Sequence, residues 1–359
     1  MVYLILLTLI FITKRIRQKK IIPVLWIVYL AALSAFNPDC PDRWAYLAYY
    51  QYFMDPESVI VGSFQYNRFE PGFRILNSFF AGMHINFDVF LFIVFLTCYA
   101  VTYVVGTRYI REKKWFFILY FIFPFFINTV QIRLMIATTI LFASIWSLKN
   151  AQIKNIIRYV FFVWVAMLFH TSSVFALVYV LIPLSKRKGF REVMAVCSAL
   201  LAGLIYSGYF AKIIARYVPF LIVGGSWMDV NYNKTILAAV FVNMIWIYVF
   251  YRCRKTAHLF VAPDRLDIVD FVYRINLTSL LLLPLTLFGR QFLRMYRVYT
   301  MVNYIGMFQY LQTDGIGKRR KYNMMAMFLA ALMILICLDE IAVVGNIFQK
   351  NYLLNILRL

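Results

Sequence analysis

The chain has 359 residues, of which 63% are hydrophobic and 14% are charged. An ordinary soluble domain has roughly 25% charged residues, so too few polar side chains remain here to cover a globular core, and a water-soluble protein is excluded. The formal net charge of +22 is scattered between long apolar runs, which favours loops facing an anionic membrane surface over nucleic-acid binding.

Apolar runs that could form membrane helices recur along the chain. A helix needs roughly 20 apolar residues to cross the hydrocarbon core, and fewer when flanking side chains reach the interface. The sequence predicts an all-α polytopic integral membrane protein, one transmembrane domain over 1–359, with about 12 spans, some short or re-entrant. The predicted spans are 2–13, 21–36, 86–107, 115–128, 134–148, 159–169, 173–185, 193–209, 235–251, 268–288, 298–311 and 322–345.

Basic segments between these spans predict the topology. Six of them hold 24 of the 37 Lys and Arg residues: 14–20, 108–114, 149–158, 186–191, 252–265 and 318–321. Loops rich in Lys and Arg face the cytoplasm, so an even number of spans must separate each segment from the next. Residues 159–185 must therefore form a hairpin, with its tip near 169–173, and both termini are predicted to lie outside.

The longer non-helical segments then lie on the outer side. They include an external loop over 37–73, an amphipathic helix over 74–85 and a second external loop over 210–234. The outer segments carry twelve Lys and Arg residues against nine Asp and Glu residues, so the positive-inside rule does not account for these cations. Functional residues are expected here, because loops carry function more often than the elements they connect.

Arginines on the outer side are candidates for anion binding. Arg290, Arg294 and Arg297 share one face of a helix, where three guanidinium groups suit a phosphate or carboxylate. Interfacial anchoring or pairing with acidic loops is the alternative. Arg133 begins a long apolar helix and should have a partner near the outer boundary, either a substrate or, as a helix-end anchor, the interface itself.

The outer segments also carry candidate acids and bases. His170 lies at the hairpin tip, beside three hydroxyl residues, where it could move or orient a proton or simply be a satisfied structural group. Asp42 and Arg43 lie in the first loop, and Glu70 precedes a Pro-Gly turn. Four aromatic residues nearby favour an interfacial belt over platforms for sugar stacking: Trp44, Tyr46, Tyr49 and Tyr50.

Arg274 is different, because it lies inside the predicted span 268–288. Asp270 and Asp267 precede it by four and seven residues on the same helix face. A local ion pair would hold this charge within the membrane without a catalytic role.

Known motifs for nucleotide and metal chemistry are missing from the sequence. There is no Walker A loop, no Gly-x-Gly-x-x-Gly, no His-Glu-x-x-His and no Asp-x-Asp pair. The five cysteines lie far apart, without the spacing of a metal site or a disulfide framework. Nucleotide-driven chemistry is therefore disfavoured, and no metal or other cofactor is expected.

Four motifs in chain order resemble the EpsG family of exopolysaccharide proteins, within the Wzy-type O-antigen and capsule polymerases. They are Asp42-Arg43-Trp-Ala-Tyr46, Glu70-Pro-Gly-Phe73, Gln131-Ile-Arg133-Leu-Met-Ile-Ala137 and Phe169-His170-Thr-Ser-Ser173. The stretch 290–299 is similar to that family's late Arg-Leu-x-x-Tyr region. The resemblance covers roughly residues 35 to 310.

The resemblance implies a glycosyltransferase with a GT-C-like arrangement of helices in the bacterial cytoplasmic (inner) membrane. It would join oligosaccharide repeat units carried on undecaprenyl diphosphate at the outer face, without metal or nucleotide, because the sugar arrives activated. Membrane lipids, a flippase and chain-length regulators are the implied partners, and nucleic acid is not. A cationic clamp would bind the diphosphate leaving group, and a base or orienter would act on the attacking hydroxyl. The implied clamp residues are Arg43, Arg133, Arg290, Arg294 and Arg297, and the implied catalytic residues are His170, Asp42 and Glu70.

Three alternatives fit the same residues less well. A flippase for a lipid-linked glycan would use the arginines to line a pathway, but cations should then lie deep in several spans. A membrane acyltransferase that modifies polysaccharide would use His170 as a base beside an acyl donor. A scaffold subunit of a synthase complex would need none of these residues.

Overall fold

The computed structural model describes residues 21–37, 40, 42–54, 69–110, 113–150, 152–210, 212–213, 234–257, 263–288, 292 and 296–311. Within these residues the chain is helical and contains no β-strand. The predicted spans 2–13 and 322–345, and most of the predicted loop 210–234, lie outside the described residues.

The described part contains twelve α-helices, numbered here in chain order. They are α1 (Ile21–Ala35), α2 (Arg43–Met54), α3 (Pro71–Gly82), α4 (Phe87–Thr107), α5 (Lys113–Ile122), α6 (Phe125–Val130), α7 (Ile132–Ser144), α8 (Ile153–Met167), α9 (Phe190–Tyr206), α10 (Lys234–Ala257), α11 (Pro263–Thr278) and α12 (Tyr296–Leu311). Three 3₁₀ helices accompany them: Ile145–Lys149 after α7, Thr171–Lys186 between α8 and α9, and Ser279–Phe288 after α11.

Membrane helices are present, as the composition predicts. Three described helices are long and apolar enough to cross a membrane: Phe87–Thr107, Ile132–Lys149 and Leu266–Leu287. Shorter apolar helices lie at Pro23–Ala35 and Thr171–Lys186. An all-helical membrane protein is therefore confirmed at this level, while the count of 12 spans and the GT-C-like arrangement remain predictions.

A hairpin replaces what could be read as one long helix over 159–185. Helix α8 ends at Met167, and the 3₁₀ helix Thr171–Lys186 returns along it, with the Tyr159 hydroxyl donating to the Ala176 carbonyl at 2.9 Å. A 3₁₀ helix rises about 2.0 Å per residue, so its 16 residues extend about 32 Å, close to the roughly 30 Å of the hydrocarbon core. The reversal required by the parity of the basic segments is confirmed.

Helix α12 forms the centre of the bundle. Every side chain from Tyr296 to Gln309 is buried, and the helix packs against α4, α5, α7, α10 and α11. One contact in this core is polar on both sides: Asn303 and Asn276 of α11 exchange amide hydrogen bonds of 2.6 and 3.1 Å. Two buried amides that satisfy each other fix the register of the two helices.

Ion pairs divide the charged residues between two opposite ends of the bundle. At the end that carries the basic segments, Asp270 pairs with Arg274 and, at 2.7 Å, with Arg254. The predicted local pair of Arg274 is thus confirmed for Asp270, whereas Asp267 contacts Lys149 at 3.9 Å instead. Side chains at the other end pair separately, as Arg43 with Asp88 and Arg133 with Glu70.

The interpretation of the first-loop tyrosines as an interfacial belt is wrong. Tyr46, Tyr49 and Tyr50 are buried, and only Trp44 is well exposed. The face of α2 that carries the tyrosines packs against α3 and α4. The ring centroids of Tyr49 and Phe69 are 4.6 Å apart, and those of Tyr50 and Phe90 are 5.0 Å apart. Aromatic pairs at such distances stabilise packing beyond their buried area, so α2 is anchored by these rings.

The reciprocal amides predict a non-additive effect on stability. Replacing either Asn276 or Asn303 by Leu leaves the other amide buried without its partner, which costs about 1–3 kcal/mol. Each single variant should therefore unfold at a lower temperature in detergent than the parent chain. The double variant removes both polar groups, so its loss should be smaller than the sum of the two, and strictly additive losses would contradict the pairing.

Candidate functional site

The Glu70 carboxylate joins three distant parts of the chain at the end away from the basic segments. Its Oε2 forms an ion pair with Arg133 at the start of α7. Its Oε1 accepts hydrogen bonds from the Thr171 backbone N–H at 3.2 Å and the Thr171 hydroxyl at 3.5 Å. The carboxylate thus satisfies an otherwise unpaired N–H at the beginning of the 3₁₀ helix, where the helix dipole also favours negative charge.

The local backbone explains why Glu70 can reach both partners. Glu70 is extended, with φ −63° and ψ 151°, and Pro71 begins α3 directly after it, as proline favours the first helical position. The Gly72 N–H then donates to the Leu168 carbonyl at 2.7 Å. A Cβ atom on residue 72 would lie 2.8 Å from that carbonyl oxygen, so this approach between α3 and the hairpin turn requires glycine.

The Arg133 side chain is largely buried but remains partly exposed. Its guanidinium carbon lies 4.5 Å from the centroid of the Phe69 ring and 6.0 Å from that of Tyr46. The side chains of Arg133 and Glu70 remain 22% and 14% exposed, which leaves the pair open to a ligand. Burial raises the pKa of the Tyr46 phenol, against the opposing effect of Arg133, so Tyr46 stays protonated beside the cation.

His170 is held at the hairpin turn by the residues that follow it. Its Nδ1 accepts a hydrogen bond from the Ser172 backbone N–H at 3.3 Å and lies 2.7 Å from the Ser172 hydroxyl oxygen. Because a backbone N–H can only donate, Nδ1 is the unprotonated nitrogen, and the neutral imidazole carries its proton on Nε2. His170 is therefore oriented as a donor through Nε2, and Thr171 links it directly to Glu70.

Arg43 and Asp42, the other two predicted site residues of the first loop, lie apart from Glu70. Arg43 pairs with Asp88 in the first turn of α4, donates to the Ala35 carbonyl at 2.7 Å and lies 5.2 Å from the Phe87 ring centroid. Asp42 is exposed and precedes α2. Neither side chain belongs to the group formed by Glu70, Arg133 and His170.

Arg297 lies deeper in the same half of the bundle. It is fully buried, and its amino groups donate to the Asn128 side-chain oxygen at 2.9 Å and to the Gln131 side-chain oxygen. It thereby ties α12 to the residues that lead into α7, two positions before Arg133. Arg290 and Arg294 lie outside the described residues.

A narrow cavity opens beside the hairpin turn. Tyr179 and Ser173 contribute buried hydroxyl groups to its wall. The other lining residues are mostly apolar and come from α7, α12 and the two longer 3₁₀ helices: Leu134, Thr138, Leu141, Ser172, Ala176, Leu282 and Val298. Among the described residues, no three His, Cys, Asp or Glu side chains lie close enough to hold a metal ion.

Some residues of this site carry no signal that a single sequence displays. Phe69 packs against the Arg133 guanidinium although it looks like an ordinary aromatic residue in the sequence, and Asn128 and Gln131 bind Arg297 from more than 160 positions away. Only the grouping of Asn128, Gln131 and Arg133 in one short stretch before an apolar helix could have pointed to them.

Comparison with models of protein families identifies the family to which the sequence is similar. The sequence matches the model of the EpsG family over residues 20–352, nearly the whole chain. No curated protein and no solved structure matches it.

The contact between α3 and the hairpin turn predicts a steric requirement at residue 72. Gly72→Ala should lower the unfolding temperature in detergent and the yield of folded protein, because overpacking typically costs about 1–3 kcal/mol. Gly82→Ala, in the same helix with nothing near the added Cβ, is the matched control and should be neutral. Equal behaviour of the two variants would show that the helix and turn do not approach as described.

Proposed function

Because this chain belongs to the EpsG family, a family of Wzy-type polysaccharide polymerases, we propose that it lengthens an exopolysaccharide from lipid-linked repeat units in the cytoplasmic membrane. The donor is a growing glycan on undecaprenyl diphosphate, and the acceptor is a sugar hydroxyl of the next lipid-linked unit. The new glycosidic bond forms as the bond to the diphosphate breaks, and the hydroxyl proton passes to a base. The reaction takes place at the outer face, and flippase and chain-length regulator proteins supply and limit the substrate.

One observation supports this site more than any other: Glu70 pairs with Arg133 and accepts hydrogen bonds from Thr171, the neighbour of His170, although the three segments lie far apart in the chain. Each belongs to one of the motifs that resemble the family, and the group lies at the end opposite the basic segments. A lipid-linked sugar presents its diphosphate at the membrane boundary, which is where α7 begins with Arg133. The group therefore combines a cation, a carboxylate and an imidazole where the reacting bond would lie.

Arg133 is the proposed ligand of the diphosphate. Its guanidinium can bind a phosphate oxygen while the Glu70 carboxylate keeps it oriented. The negative charge that develops on the leaving diphosphate is stabilised by such a fixed cation, without a metal. Arg290 and Arg294 would complete the clamp, and Arg297 would hold the residues before Arg133 in position from within the bundle.

Glu70 is the proposed base in preference to Asp42. It pairs with Arg133, the proposed diphosphate ligand, and accepts hydrogen bonds from Thr171, the neighbour of His170. Asp42 precedes α2 and is exposed to solvent. Water would therefore not be excluded from a base at that position. Arg43, already paired with Asp88, is proposed to support α2 and the first loop.

His170 is the proposed orienter of the acceptor. With Nδ1 occupied by Ser172, the neutral ring offers an Nε2–H donor, which suits an acceptor sugar oxygen better than proton abstraction does. A donor at this position would also stabilise charge that develops on the bridging oxygen of the donor.

The proposal predicts a large loss of activity at each of the three positions. With purified protein in vesicles and lipid-linked repeat units, Glu70→Gln, Arg133→Lys and His170→Phe should each lower the rate of glycan elongation by about 100-fold or more, as removal of one stabilising group does in other enzymes. In a deletion strain carrying these variants, single repeat units on lipid should accumulate at the outer face.

Matched controls come from the opposite end of the bundle. Glu192→Gln and Arg191→Lys change the same residue types in an exposed ion pair, and both should leave elongation unchanged. Normal chain lengths in all three site variants would refute the site, and accumulation of lipid-linked units on the inner leaflet would indicate a flippase instead.

A further inference from the structure

We propose that α3 lies flat in the boundary between lipid headgroups and acyl chains, with Ile75 and Phe79 in contact with lipid, and thereby fixes the depth of Glu70 in the membrane. The exposed face of α3 is the interaction surface, and the lipid bilayer is its partner. The part of this inference that concerns Glu70 rests on the proposed function, whereas the position of α3 does not.

The connections of α3 prevent it from crossing the membrane. Its 12 residues extend about 18 Å, well short of the roughly 30 Å of the hydrocarbon core. Before α3, Glu70 contacts Arg133 and Thr171. After it, the Ile85 carbonyl accepts from the Tyr50 hydroxyl at 2.8 Å, and Asn86 caps α4. Both ends therefore lie at one end of the bundle, and the helix must run along the membrane plane.

The depth of α3 follows from α7. The apolar helix Ile132–Lys149 has 13 α-helical and five 3₁₀ residues, which together extend about 30 Å, the thickness of the hydrocarbon core. Arg133 and Lys149 thus mark its two boundaries. Since Glu70 pairs with Arg133, and α3 begins at the next residue, the helix starts at the membrane boundary.

One face of α3 is apolar and uncovered. Ile75 and Phe79 are 70% and 61% exposed, and Met83 follows in the same row at 57%. The opposite face is covered by the protein through Phe73, whose ring lies 5.5 Å from that of Tyr46 between centroids, and through Ala81. Arg74 is the only charged residue of α3. An apolar row on a helix at this depth is the pattern of an interfacial helix.

A second copy of the chain is a poorer partner for this face. A specific interface generally buries at least about 1,000 Å² in total, more than a row of three side chains on a 12-residue helix can supply. Contact with lipid needs no minimum area, because each exposed apolar side chain lowers the free energy separately when it leaves water.

The link from α3 to Glu70 is short and rigid. Glu70 directly precedes the first residue of α3, and the Gly72 N–H holds the first turn against Leu168 of the hairpin. Lipid contact at Ile75 and Phe79, one and two turns further on, therefore sets the height at which the carboxylate meets Arg133 and Thr171. Glu70 acts as proposed above only when it lies level with the diphosphate.

Photocrosslinking tests the position of α3 without reference to activity. The full chain carrying p-benzoylphenylalanine in place of Ile75 or Phe79 would be irradiated in vesicles of tritiated phosphatidylethanolamine and phosphatidylglycerol, without undecaprenyl lipids. Both positions should form tritiated lipid adducts, as should Val104 of α4, which is exposed within a span; Glu192 should form none. Covalent dimers, or no lipid adduct at 75 and 79, would overturn the inference.

The effect on Glu70 is tested by a paired substitution. A chain with Ile75→Ser and Phe79→Ser should elongate lipid-linked glycan at least about tenfold more slowly in vesicles, whereas Ile75→Leu with Phe79→Leu should restore the parent rate. Both chains should keep the parent unfolding temperature in detergent, because the two side chains are exposed. Lipid adducts with unchanged elongation in the serine chain would overturn the depth role alone. Failure of the proposed site itself would instead appear as normal elongation by Glu70→Gln.

Discussion

The ion pair between Glu70 and Arg133 is the interaction that organises the described end of the bundle opposite the basic segments. A carboxylate half-buried at a membrane boundary is costly unless it is paired and hydrogen-bonded, and Glu70 uses both oxygens, one on Arg133 and one on Thr171. Each partner lies at the first turn of a helix. The carboxylate consequently fixes where α7 and the hairpin begin relative to α3, and the contact of Gly72 with Leu168 closes the same junction through the backbone.

At the opposite end of the bundle, acidic residues lie among an excess of cations. There a single acidic residue, Asp270, lies between Arg254 and Arg274, and Asp267 lies near Lys149. Those acids offset part of the cation excess of the basic segments, so their arginines are paired locally. In the segments predicted to lie outside, cations and acids are nearly equal in number, and two described arginines there, Arg43 and Arg133, each have a specific partner. Arginine thus has a different role at each end of the bundle.

Sequence reasoning succeeded where the physical signal is local. Hydropathy located most of the described apolar helices, although α2 lies within the predicted loop 37–73. The parity of basic segments required the break before Thr171, and the spacing of four residues predicted the pair of Asp270 with Arg274. It failed where the partner is distant. The tyrosines of α2, taken alone, are typical of a membrane interface, but α3 and α4 cover them. No residue within ten positions of Tyr49 indicates that Phe69 packs against it. Likewise, nothing near Arg297 in the sequence indicates that it binds Asn128 and Gln131, which lie more than 160 positions away.

On the proposed function, the pairing of Arg133 before substrate arrives has a mechanistic consequence. A guanidinium left alone at the boundary would draw in water or lipid phosphate, whereas Glu70 keeps it oriented and nearly neutralised. An incoming diphosphate brings at least two negative charges, so it competes with Glu70 for the guanidinium and weakens the ion pair. The carboxylate oxygen released from Arg133 has a lone pair available as an acceptor at the moment when the acceptor hydroxyl must lose its proton. Binding of the donor would therefore activate the base, and the ion pair that stabilises the resting protein would couple the two halves of the reaction.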